Sequence, residues 1–304
     1  MGFPAVSIVV LNWNGLADTR ECLLSLRGIT YPDYEVVVVD NASKGDDSRV
    51  LMEEFGDCIR LVQNDRNYGC GGGYNAGVRD AVERSRPDYV LVMNNDIVVA
   101  PGFLDELVQA AESDDRIGLV GPKIYHYDRE GRSDVVWSAG GKICPWLAEV
   151  HRLIESNMTD APDCTPRTNV DWVSGAVLLL RSRLVAEVGL FDPWYFFGHE
   201  DIDYCLRASR QGFRTVYVPS SRVWHKVGAS AREAHITYAS PAHYYYFVRK
   251  NFSRPVYIYQ LLLFPALLFR WGVLYATKVR DRRMLARFAC DFVRSLLRRS
   301  ERTA

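Results

Sequence analysis

Short apolar runs rich in β-branched residues alternate with segments of helical spacing between residues 6 and 120. The apolar runs predict strands at residues 6–11, 35–39, 59–62, 89–93 and 117–120, and we expect those at 35–39 and 89–93 to be buried. Apolar residues three and four positions apart predict helices at residues 16–26, 49–55, 73–84 and 103–111. This alternation predicts a doubly wound α/β domain.

Polar residues follow three of these strands at the points where the strands end. Asn12 ends the first strand, Asp40 and Asn41 follow the second, and Asn94-Asn95-Asp96 ends the strand that begins at Tyr89. Because right-handed crossovers bring the carboxyl ends of parallel strands to one edge, we expect these tips to converge. Such an oxygen-rich edge suits a divalent cation and a diphosphate, whereas each tip alone is equally compatible with a simple turn.

A glycine-rich segment precedes the helix predicted at residues 73–84. Five glycines fall within residues 69–77, which would let backbone amides approach a phosphate at a helix N-terminus. The dinucleotide fingerprint G-x-G-x-x-G fails, because its third glycine would fall on Tyr74. A flexible loop without a ligand is the alternative, and Arg66 is the natural cation for a diphosphate here.

The second half of the chain has its own concentration of functional residue types. The pattern is weak over residues 125–168, which indicates a long loop of the kind that shapes an acceptor pocket. Beyond it the sequence predicts a strand at 171–180, a helix at 182–188, a helix that begins near Glu200, a strand at 215–218 and an amphipathic helix at 238–252.

Four aromatic residues, Trp194 to Phe197, run directly into Glu200, Asp201 and Asp203. Acidic residues in a first turn commonly stabilise the helix through its dipole. Aromatic residues beside carboxylates are also what sugar binding and a positioned general base require. His225 lies in the loop after the next strand, where a histidine is by itself more often structural than a ligand.

Composition narrows the class of protein. Lys+Arg and Asp+Glu are both 37, which gives no indication of a nucleic-acid partner. The seven cysteines include no C-x-x-C pair, and the N-terminus lacks the regions of a signal peptide. We therefore expect reduced thiols and a cytoplasmic location.

The C-terminal region predicts attachment to a membrane surface. Residues 255–277 contain one charged residue, Arg270, and basic residues flank the segment on both sides. From Met284 onwards, apolar residues stack at i, i+4 among arginines, which is typical of a basic amphipathic helix on an anionic membrane. The alternative is a helix that packs on the protein's own body. We expect peripheral association with the inner face of the cytoplasmic membrane.

Several motifs, in order along residues 6–246, resemble those of the family-2 glycosyltransferases of GT-A fold, in particular their bacterial rhamnosyltransferase-like branch. The matching strings are Val6-Ser-Ile-Val-Val-Leu-Asn-Trp-Asn-Gly15, Val39-Asp-Asn-Ala-Ser43, Asn67-Tyr-Gly, Asn94-Asn-Asp96, Gly189-Leu-Phe-Asp192, Phe196-Phe, Glu200-Asp-Ile-Asp203 and Val223-Trp-His225 with Gly228 and Ser230.

The resemblance implies a metal-dependent, inverting transfer of one sugar from a nucleotide-diphosphate sugar. It implies Asp201 as the general base, with Glu200 beside it, and Asp96 and His225 as ligands of Mn²⁺ or Mg²⁺. The donor-binding residues expected with it are Asn12, Asp40, Asn41, Arg66, Asn67, Gly73, Asn75, Asn95 and Asp96, and those expected for the acceptor are Trp172, Trp194 and Phe197. The chain departs from the Asp-x-Asp metal motif, because its first acid is Asn94 here.

These expectations divide the chain at residue 250. Residues 1–250 would form the GT-A domain, with a nucleotide-binding half (1–120) and an acceptor half (121–250), and residues 251–304 a helical, membrane-associating extension. The Gln-x-x-Arg-Trp motif of processive synthases is absent because position 267 is Leu, which favours addition of a single sugar. The expected donor is dTDP-rhamnose, the expected acceptor a glycan or polyprenyl-linked saccharide, and a homodimer is possible.

Three alternatives stay open. The donor could be UDP-galactofuranose or a UDP-hexose. The chain could be a non-catalytic, membrane-tethered sugar-nucleotide binder, since Asn94 weakens the metal motif. A nucleotide-dependent oxidoreductase would share the sheet, but the broken glycine fingerprint and the second acidic cluster argue against it.

Overall fold

A computed structural model describes residues 2–147, 151–154, 157–160, 168–227 and 241–278. The chain forms two compact units. The first comprises residues 1–142 and 153–236, and the second comprises residues 143–152 and 237–304.

Twelve strands and eight helices have bounds within the described residues. The strands are β1 (Val6–Asn12), β2 (Tyr34–Asp40), β3 (Ile59–Gln63), β4 (Tyr89–Asn94), β5 (Ile97–Val99), β6 (Ile117–His126), β7 (Val136–Ser138), β8 (Gly141–Ile143), β9 (His151–Leu153), β10 (Thr168–Val170), β11 (Val177–Arg181) and β12 (Arg214–His225). The helices are α1 (Leu16–Arg27), α2 (Asp47–Phe55), α3 (Gly69–Arg84), α4 (Phe103–Glu112), α5 (Arg183–Glu187), α6 (Glu200–Arg210), α7 (Pro241–Asn251) and α8 (Arg254–Lys278).

The first unit is built on a mixed ten-stranded sheet. Its order is β10-β12-β6-β11-β4-β1-β2-β3, with β5 paired to β12 and β7 paired to β6. Strand β1 lies between β2 and β4 and runs parallel to both, so that Asn12 is level with Asp40 and Leu11 with Asn94. The predicted convergence of the polar strand ends at one edge is therefore confirmed, as is the doubly wound α/β class.

The bounds of several elements differ from the sequence-based prediction. Helix α3 begins at Gly69, not at residue 73, so the glycines lie inside the helix. The strand predicted at 171–180 is confined to Val177–Arg181. Strands β6 and β12 extend to residues 126 and 225, because their parallel pairing continues past a bulge between Val218 and Arg222. The region 125–168, predicted as a loop, contains short strands from β7 to β10.

Helix α3 lies unusually close to the sheet, and its glycines permit this approach. A Cβ atom on Gly77 would lie 2.3 Å from Cγ1 of Val9 and 2.7 Å from Cγ2 of Val39. A Cβ atom on Gly73 would lie 2.5 Å from Cδ1 of Leu11. Real side chains do not tolerate such separations, so close packing accounts for both glycines.

The second unit is organised around one buried amide, that of Gln260, which is 0% exposed. The Tyr244 hydroxyl donates to Oε1 of Gln260 at 2.8 Å, and the Tyr245 hydroxyl donates to its backbone oxygen at 3.1 Å. Nε2 of Gln260 donates to the carbonyls of Leu147, at 2.7 Å, and Pro145, at 3.1 Å. These bonds fix α7, α8 and the segment near residue 146 together, because a buried amide is costly unless it is paired.

The helix predicted at 238–252 is confirmed as α7, with residues 238–240 outside the described residues. The basic amphipathic helix predicted from Met284 also lies outside them. Among the helices that the structure describes, none combines the length and apolar character needed to cross a bilayer.

Replacement of Gly77 by Ala tests the close approach of α3. We expect Gly77→Ala to lower the free energy of unfolding by about 1–3 kcal/mol through overpacking, measured by urea denaturation. Gly102→Ala is the matched control, because the nearest atom to its Cβ is Oγ1 of Thr30 at 4.0 Å. Equal effects of the two substitutions would contradict the packing explanation.

Candidate active site

The carboxamide of Asn12 organises the floor of the site at the end of β1. Its Oδ1 accepts hydrogen bonds from Thr19 Oγ1 at 2.8 Å and from Asn95 Nδ2 at 3.2 Å. Its Nδ2 donates to Ser43 Oγ at 3.2 Å and to Asp47 Oδ2 at 3.1 Å. Asn12 and Asn95, both predicted to bind the donor, are buried and their amides hold the polar tips of β1 and β4 together.

Asp40 at the end of β2 orders the turn that follows it. Its Oδ1 accepts a hydrogen bond from the backbone N–H of Ser43 at 3.0 Å, and its Oδ2 accepts one from the Ser48 hydroxyl. Asp40 is 5% exposed and level with Asn12, so the structure brings these two predicted site residues together.

Asn41 fixes the loop that leads into α3. Its Nδ2 donates to Asn67 Oδ1 at 2.9 Å and to the Gly69 carbonyl at 3.1 Å. Its Oδ1 accepts from Asn64 Nδ2 at 2.9 Å and from the Tyr68 N–H at 3.1 Å. The predicted pair Asn41 and Asn67 is thus in direct contact.

The loop at residues 191–196 covers the first turn of α3. The N–H of Cys70 donates to the Phe196 carbonyl at 2.8 Å, and Gly69 has a positive φ of 74° at this junction. Asn75, further along α3, clamps Phe191, accepting from its N–H at 2.9 Å and donating to its carbonyl at 2.8 Å. The glycine-rich turn is therefore explained by packing, and donor contacts from Gly73 and Asn75 stay predictions.

Arg66, predicted to meet a diphosphate, is exposed just before α3. Its guanidinium lies 4.8 Å from the centre of the Tyr68 ring, a cation–π arrangement. Its donor role stays a prediction.

Asp96 and His225 come together because β5 pairs antiparallel with the end of β12. Asp96 Oδ1 lies 3.1 Å from His225 Nε2, and the two side chains are 7% and 5% exposed. Asp96 Oδ1 and His225 Nδ1 are nevertheless buried without a hydrogen-bond partner among the described residues. The edge of the Trp137 ring packs on the imidazole, with ring centres 4.6 Å apart.

The Asp96–His225 pair fits a divalent cation. Buried polar atoms without partners are costly, and two neighbouring ligands of one small cation lie about 3 Å apart. Within the part of the chain that the structure describes, no third carboxylate, imidazole or thiolate joins the pair. Any further ligands would come from the diphosphate of the donor or from water.

Glu200 and Asp201 open helix α6 in a desolvated environment. Burial, followed by the neighbouring Asp201 charge, raises the pKa of Glu200 to about 8, and its Oε2 has no partner among the described residues. Burial also raises the pKa of Asp201, against backbone N–H donors that lower it, two of which come from other residues. These are the N–H of Gly175, 2.7 Å from Oδ2, and the N–H of Ile202, 2.8 Å from Oδ1.

The remaining acid of this motif, Asp203, has a structural role. It is fully buried and forms an ion pair with Arg207, whose Nε lies 2.9 Å from Oδ2. The same guanidinium donates to the carbonyls of Val188 and Leu190, each at 2.8 Å. This pair therefore ties the loop before the aromatic cluster to α6.

The three predicted acceptor residues are placed differently. Trp194 and Phe197 are half-buried in the turn that leads to Glu200. Trp172 is 5% exposed and packs on Gly141, where a Cβ would lie 2.2 Å from the indole. The structure therefore leaves Trp194 and Phe197 partly accessible and buries Trp172 in the core. Acceptor contacts for all three stay predictions.

Sequence reasoning missed two residues at the centre of the site, Tyr74 and Gly175. The Tyr74 hydroxyl lies 2.5 Å from Asn94 Oδ1 and 3.1 Å from the Gly175 carbonyl. Burial is the main cause of the raised pKa of Tyr74, and the nearby charges of Glu200, Asp96 and Asp201 add to it. The sequence contained a signal for Tyr74, because it is the large residue that interrupts the glycine run.

The sequence model of the family described as "Glycosyltransferase like family 2" matches residues 4–240. The chain belongs to this family. Relatives with curated names are consistent with that membership. N-acetylglucosaminyl-diphospho-decaprenol L-rhamnosyltransferase of Mycobacterium tuberculosis is 28% identical over 262 residues, which is 77% of this chain and 78% of the relative. Rhamnosyltransferase WbbL of Escherichia coli K12 is 27% identical over 214 residues, 64% of this chain and 79% of the relative.

Solved glycosyltransferase structures share the fold. The mannosyltransferase PcManGT of Pyrobaculum calidifontis, solved with GDP-Man and Mn²⁺, superposes with a TM-score of 0.55 at 17% identity, over 98% of this chain and 88% of the other. GalNAc-T7, solved with UDP, GalNAc and Mn²⁺, gives a TM-score of 0.64 at 17% identity, over 82% and 49%. The chain is a family-2 glycosyltransferase of GT-A fold in the rhamnosyltransferase-like branch, as its motifs predicted.

The raised pKa of Glu200 makes the stability of this glycosyltransferase pH-dependent. The folded-state pKa of about 8 lies above the ordinary 4.5, so the stabilising contribution is complete below pH 4.5 and is lost as the pH rises through 8. Glu200→Gln removes the titration. We expect the free energy of unfolding of the variant, relative to that of the wild type, to rise by at least about 1 kcal/mol between about pH 5 and pH 8, measured by urea unfolding.

Glu187→Gln is the control, because Glu187 is exposed on α5. A difference between Glu200→Gln and the wild type that does not change with pH would contradict the assignment.

Proposed function

We propose that this glycosyltransferase transfers one L-rhamnose from dTDP-rhamnose, with inversion, to a saccharide carried on a polyprenyl diphosphate. The observation that carries the proposal is the carboxylate pair of buried Glu200 and half-buried Asp201, in the same unit as the polar strand tips that end in Asp96. The names of the mycobacterial and enterobacterial relatives support the sugar and the class of acceptor. The pathway would be synthesis of a cell-surface or cell-wall polysaccharide.

Asp96 and His225 would hold Mn²⁺ or Mg²⁺ together with the donor diphosphate. A bound divalent cation neutralises charge that develops on the departing diphosphate. The buried Asn12, Asp40 and Asn41 network forms a rigid floor at the same edge, and such preorganisation favours binding because little ordering is required. Arg66 would contribute positive charge from the entrance.

Asp201 is the proposed general base. Its carboxylate is oriented by two backbone donors, and burial raises its pKa, which makes it a better proton acceptor. As the acceptor oxygen bonds to the anomeric carbon, its proton passes to Asp201 and the bonding electron pair leaves with the diphosphate. This single displacement inverts the anomeric centre. Trp194 and Phe197 would pack against the acceptor sugar.

Two alternatives make different predictions. A different donor, such as UDP-galactofuranose or a UDP-hexose, would leave the chemistry unchanged and alter the nucleotide selected. A non-catalytic sugar-nucleotide binder would bind a donor without any turnover.

A panel of sugar nucleotides, each incubated with and without Mn²⁺ or Mg²⁺, tests the donor. We expect metal-dependent release of dTDP from dTDP-rhamnose, measured as free nucleoside diphosphate, and faster release when a lipid-linked saccharide is added. Faster release of nucleoside diphosphate from another nucleotide sugar would contradict dTDP-rhamnose as the donor and identify that sugar nucleotide instead. Donor binding without release, in the presence of acceptor, would favour the non-catalytic binder.

Asp201→Asn tests the base. We expect turnover to fall by about 10²–10⁴-fold with donor affinity retained, because a general base contributes rate and not donor binding. Asp115→Asn, at a carboxylate 92% exposed, is the control and should retain activity. Retained transfer in Asp201→Asn, with loss in Glu200→Gln, would reassign the base to Glu200.

We also propose that α8 attaches the protein to the inner face of the cytoplasmic membrane. Ile258, Leu262 and Phe269 are 55%, 75% and 75% exposed. At 100° per residue these three side chains share one face of the helix, so they form an exposed apolar stripe. The basic Arg249, Lys250, Arg254 and Lys278 lie at or near the helix ends, which suits an anionic lipid surface. Dimer formation stays a prediction.

The double variant Leu262→Glu, Phe269→Glu tests this attachment in the full-length chain. We expect co-sedimentation with vesicles of anionic phospholipid to fall about tenfold or more, because two exposed apolar side chains lose their place in the bilayer interface. Leu24→Glu is the control, since Leu24 is 58% exposed on α1. Unchanged co-sedimentation of the double variant would contradict the proposal that the apolar stripe is the attachment surface.

A further inference from the structure

Tyr74, on α3, lies between the end of β4 and the segment that contacts Asp201 on α6. We call the polar ends of β1, β2 and β4, where the donor is proposed to bind, the donor edge. Tyr74 is 1% exposed, and burial, with nearby negative charges, holds its pKa well above the usual value, so the hydroxyl keeps its proton. That hydroxyl is 2.5 Å from Asn94 Oδ1, at the short end of the range for an O–H···O bond, and 3.1 Å from the Gly175 carbonyl. One buried proton therefore faces two acceptors, one at the end of β4 and one in the segment before β11.

Gly175 connects this hydroxyl to Asp201. Its carbonyl faces Tyr74, and its own N–H donates to Asp201 Oδ2 at 2.7 Å. A Cβ on Gly175 would lie 3.1 Å from the Asp201 Cβ, so the close approach favours glycine. Because glycine has little intrinsic backbone preference, the direction of its N–H depends on the contacts that hold the adjacent peptides.

A second contact joins the same segments. The backbone N–H of Asn94 donates to the carbonyl of Ala176 at 3.0 Å. The end of β4 and the residues before β11 are thus held by one backbone bond and by the Tyr74 hydroxyl. Helix α3 carries Tyr74, and its neighbour Asn75 clamps Phe191, in the loop before α6.

We propose that Tyr74 is a positioning residue for the transfer reaction, whose hydroxyl holds Asn94 at the donor edge and Gly175 beneath the base in one fixed arrangement. This inference rests on the proposed role of Asp201. It assigns to α3 the task of aligning the donor-binding edge with the proton acceptor, which sequence motifs place on separate segments.

The arrangement also assigns a role to Asn94, where the family motif has an acid. Its Oδ1 accepts the Tyr74 hydroxyl, which leaves the two N–H groups of Nδ2. Within the described residues Nδ2 has no acceptor, and Asn94 is half-buried. Asn94 is therefore suited to donate a hydrogen bond to an oxygen of the donor substrate, and not to ligate the cation.

Loss of the Tyr74 hydroxyl should change the titration of Asp201 in a defined direction. The Gly175 N–H stabilises the carboxylate and lowers its pKa, so a less well-held Gly175 should raise it. The other titratable groups around this carboxylate remain in the variant: Glu200 and Cys205 on its own helix and Cys70 on α3. The acidic limb of the pH–rate profile should therefore move to higher pH.

Tyr74→Phe removes the hydroxyl and retains the ring. We expect kcat to fall about tenfold, KM for the sugar nucleotide to change less than about twofold, and the acidic limb to rise by about half a pH unit. Tyr31→Phe is the matched control, because Tyr31 is 3% exposed and its hydroxyl donates to the Pro4 carbonyl at 2.6 Å, before the start of β1. Tyr31→Phe should lower the free energy of unfolding by a similar amount and leave kcat and KM unchanged.

A second measurement does not require turnover. The carboxyl pKa of Asp201, followed by NMR on protein labelled with ¹³C-aspartate and assigned with Asp201→Asn, should rise by about half a unit in Tyr74→Phe and stay unchanged in Tyr31→Phe. An unchanged Asp201 pKa overturns the inference even if the proposed donor is wrong. An inactive wild type overturns the proposed function, while the NMR result still decides the role of Tyr74.

The variant Asn94→Ala covers a failure of Tyr74→Phe to fold. If the hydroxyl acts through Asn94, the substitution should by itself raise KM for the sugar nucleotide, a result that does not need Tyr74→Phe. Where Tyr74→Phe does fold, the effects of the two substitutions on kcat/KM should be less than additive. Fully additive effects, or an Asn94→Ala enzyme with unchanged KM, would overturn the inference.

Discussion

The close approach of α3 to the sheet is the constraint on which the site depends. Gly73 and Gly77 let the helix backbone lie against Leu11, Val9 and Val39, at distances that no side chain would permit. Only from this position can the helix place hydrogen-bonding side chains on both the end of β4 and the loop before α6. The same glycines that suggest a phosphate loop are thus required first by packing.

The sheet edge at the ends of β1, β2 and β4 is built from buried polar groups that form hydrogen bonds with one another. Asn12 joins the ends of β1 and β4, and Asn41 joins β2 to the loop before α3. Such networks are rigid, since each unpaired member would cost free energy. Three buried atoms differ from this network, because they form no hydrogen bond within the described residues. They are Asp96 Oδ1, His225 Nδ1 and Glu200 Oε2. Groups of this kind persist where function requires them.

The sequence was most informative where one physical signal dominates. Buried β-branched runs identified β1, β2 and β4 to within a residue, because a strand covered on both faces must be apolar. It failed at residues 171–176, where apolar side chains belong to an irregular segment that carries Gly175. It also began α3 four residues late, because glycine has a low helix propensity and only packing against the sheet accounts for a glycine-rich helix start.

By itself, the sequence determined the α/β class, the family, and the residue types at the strand ends, because these depend on local periodicity and on motifs of fixed spacing. Only the tertiary structure decided which of those residues meet: Asp96 with His225 through β5–β12 pairing, and Tyr74 with both Asn94 and Gly175. The physical reason is separation along the chain. Gly175 lies 101 residues from Tyr74, and such a contact is set by how the elements pack, which no local pattern records.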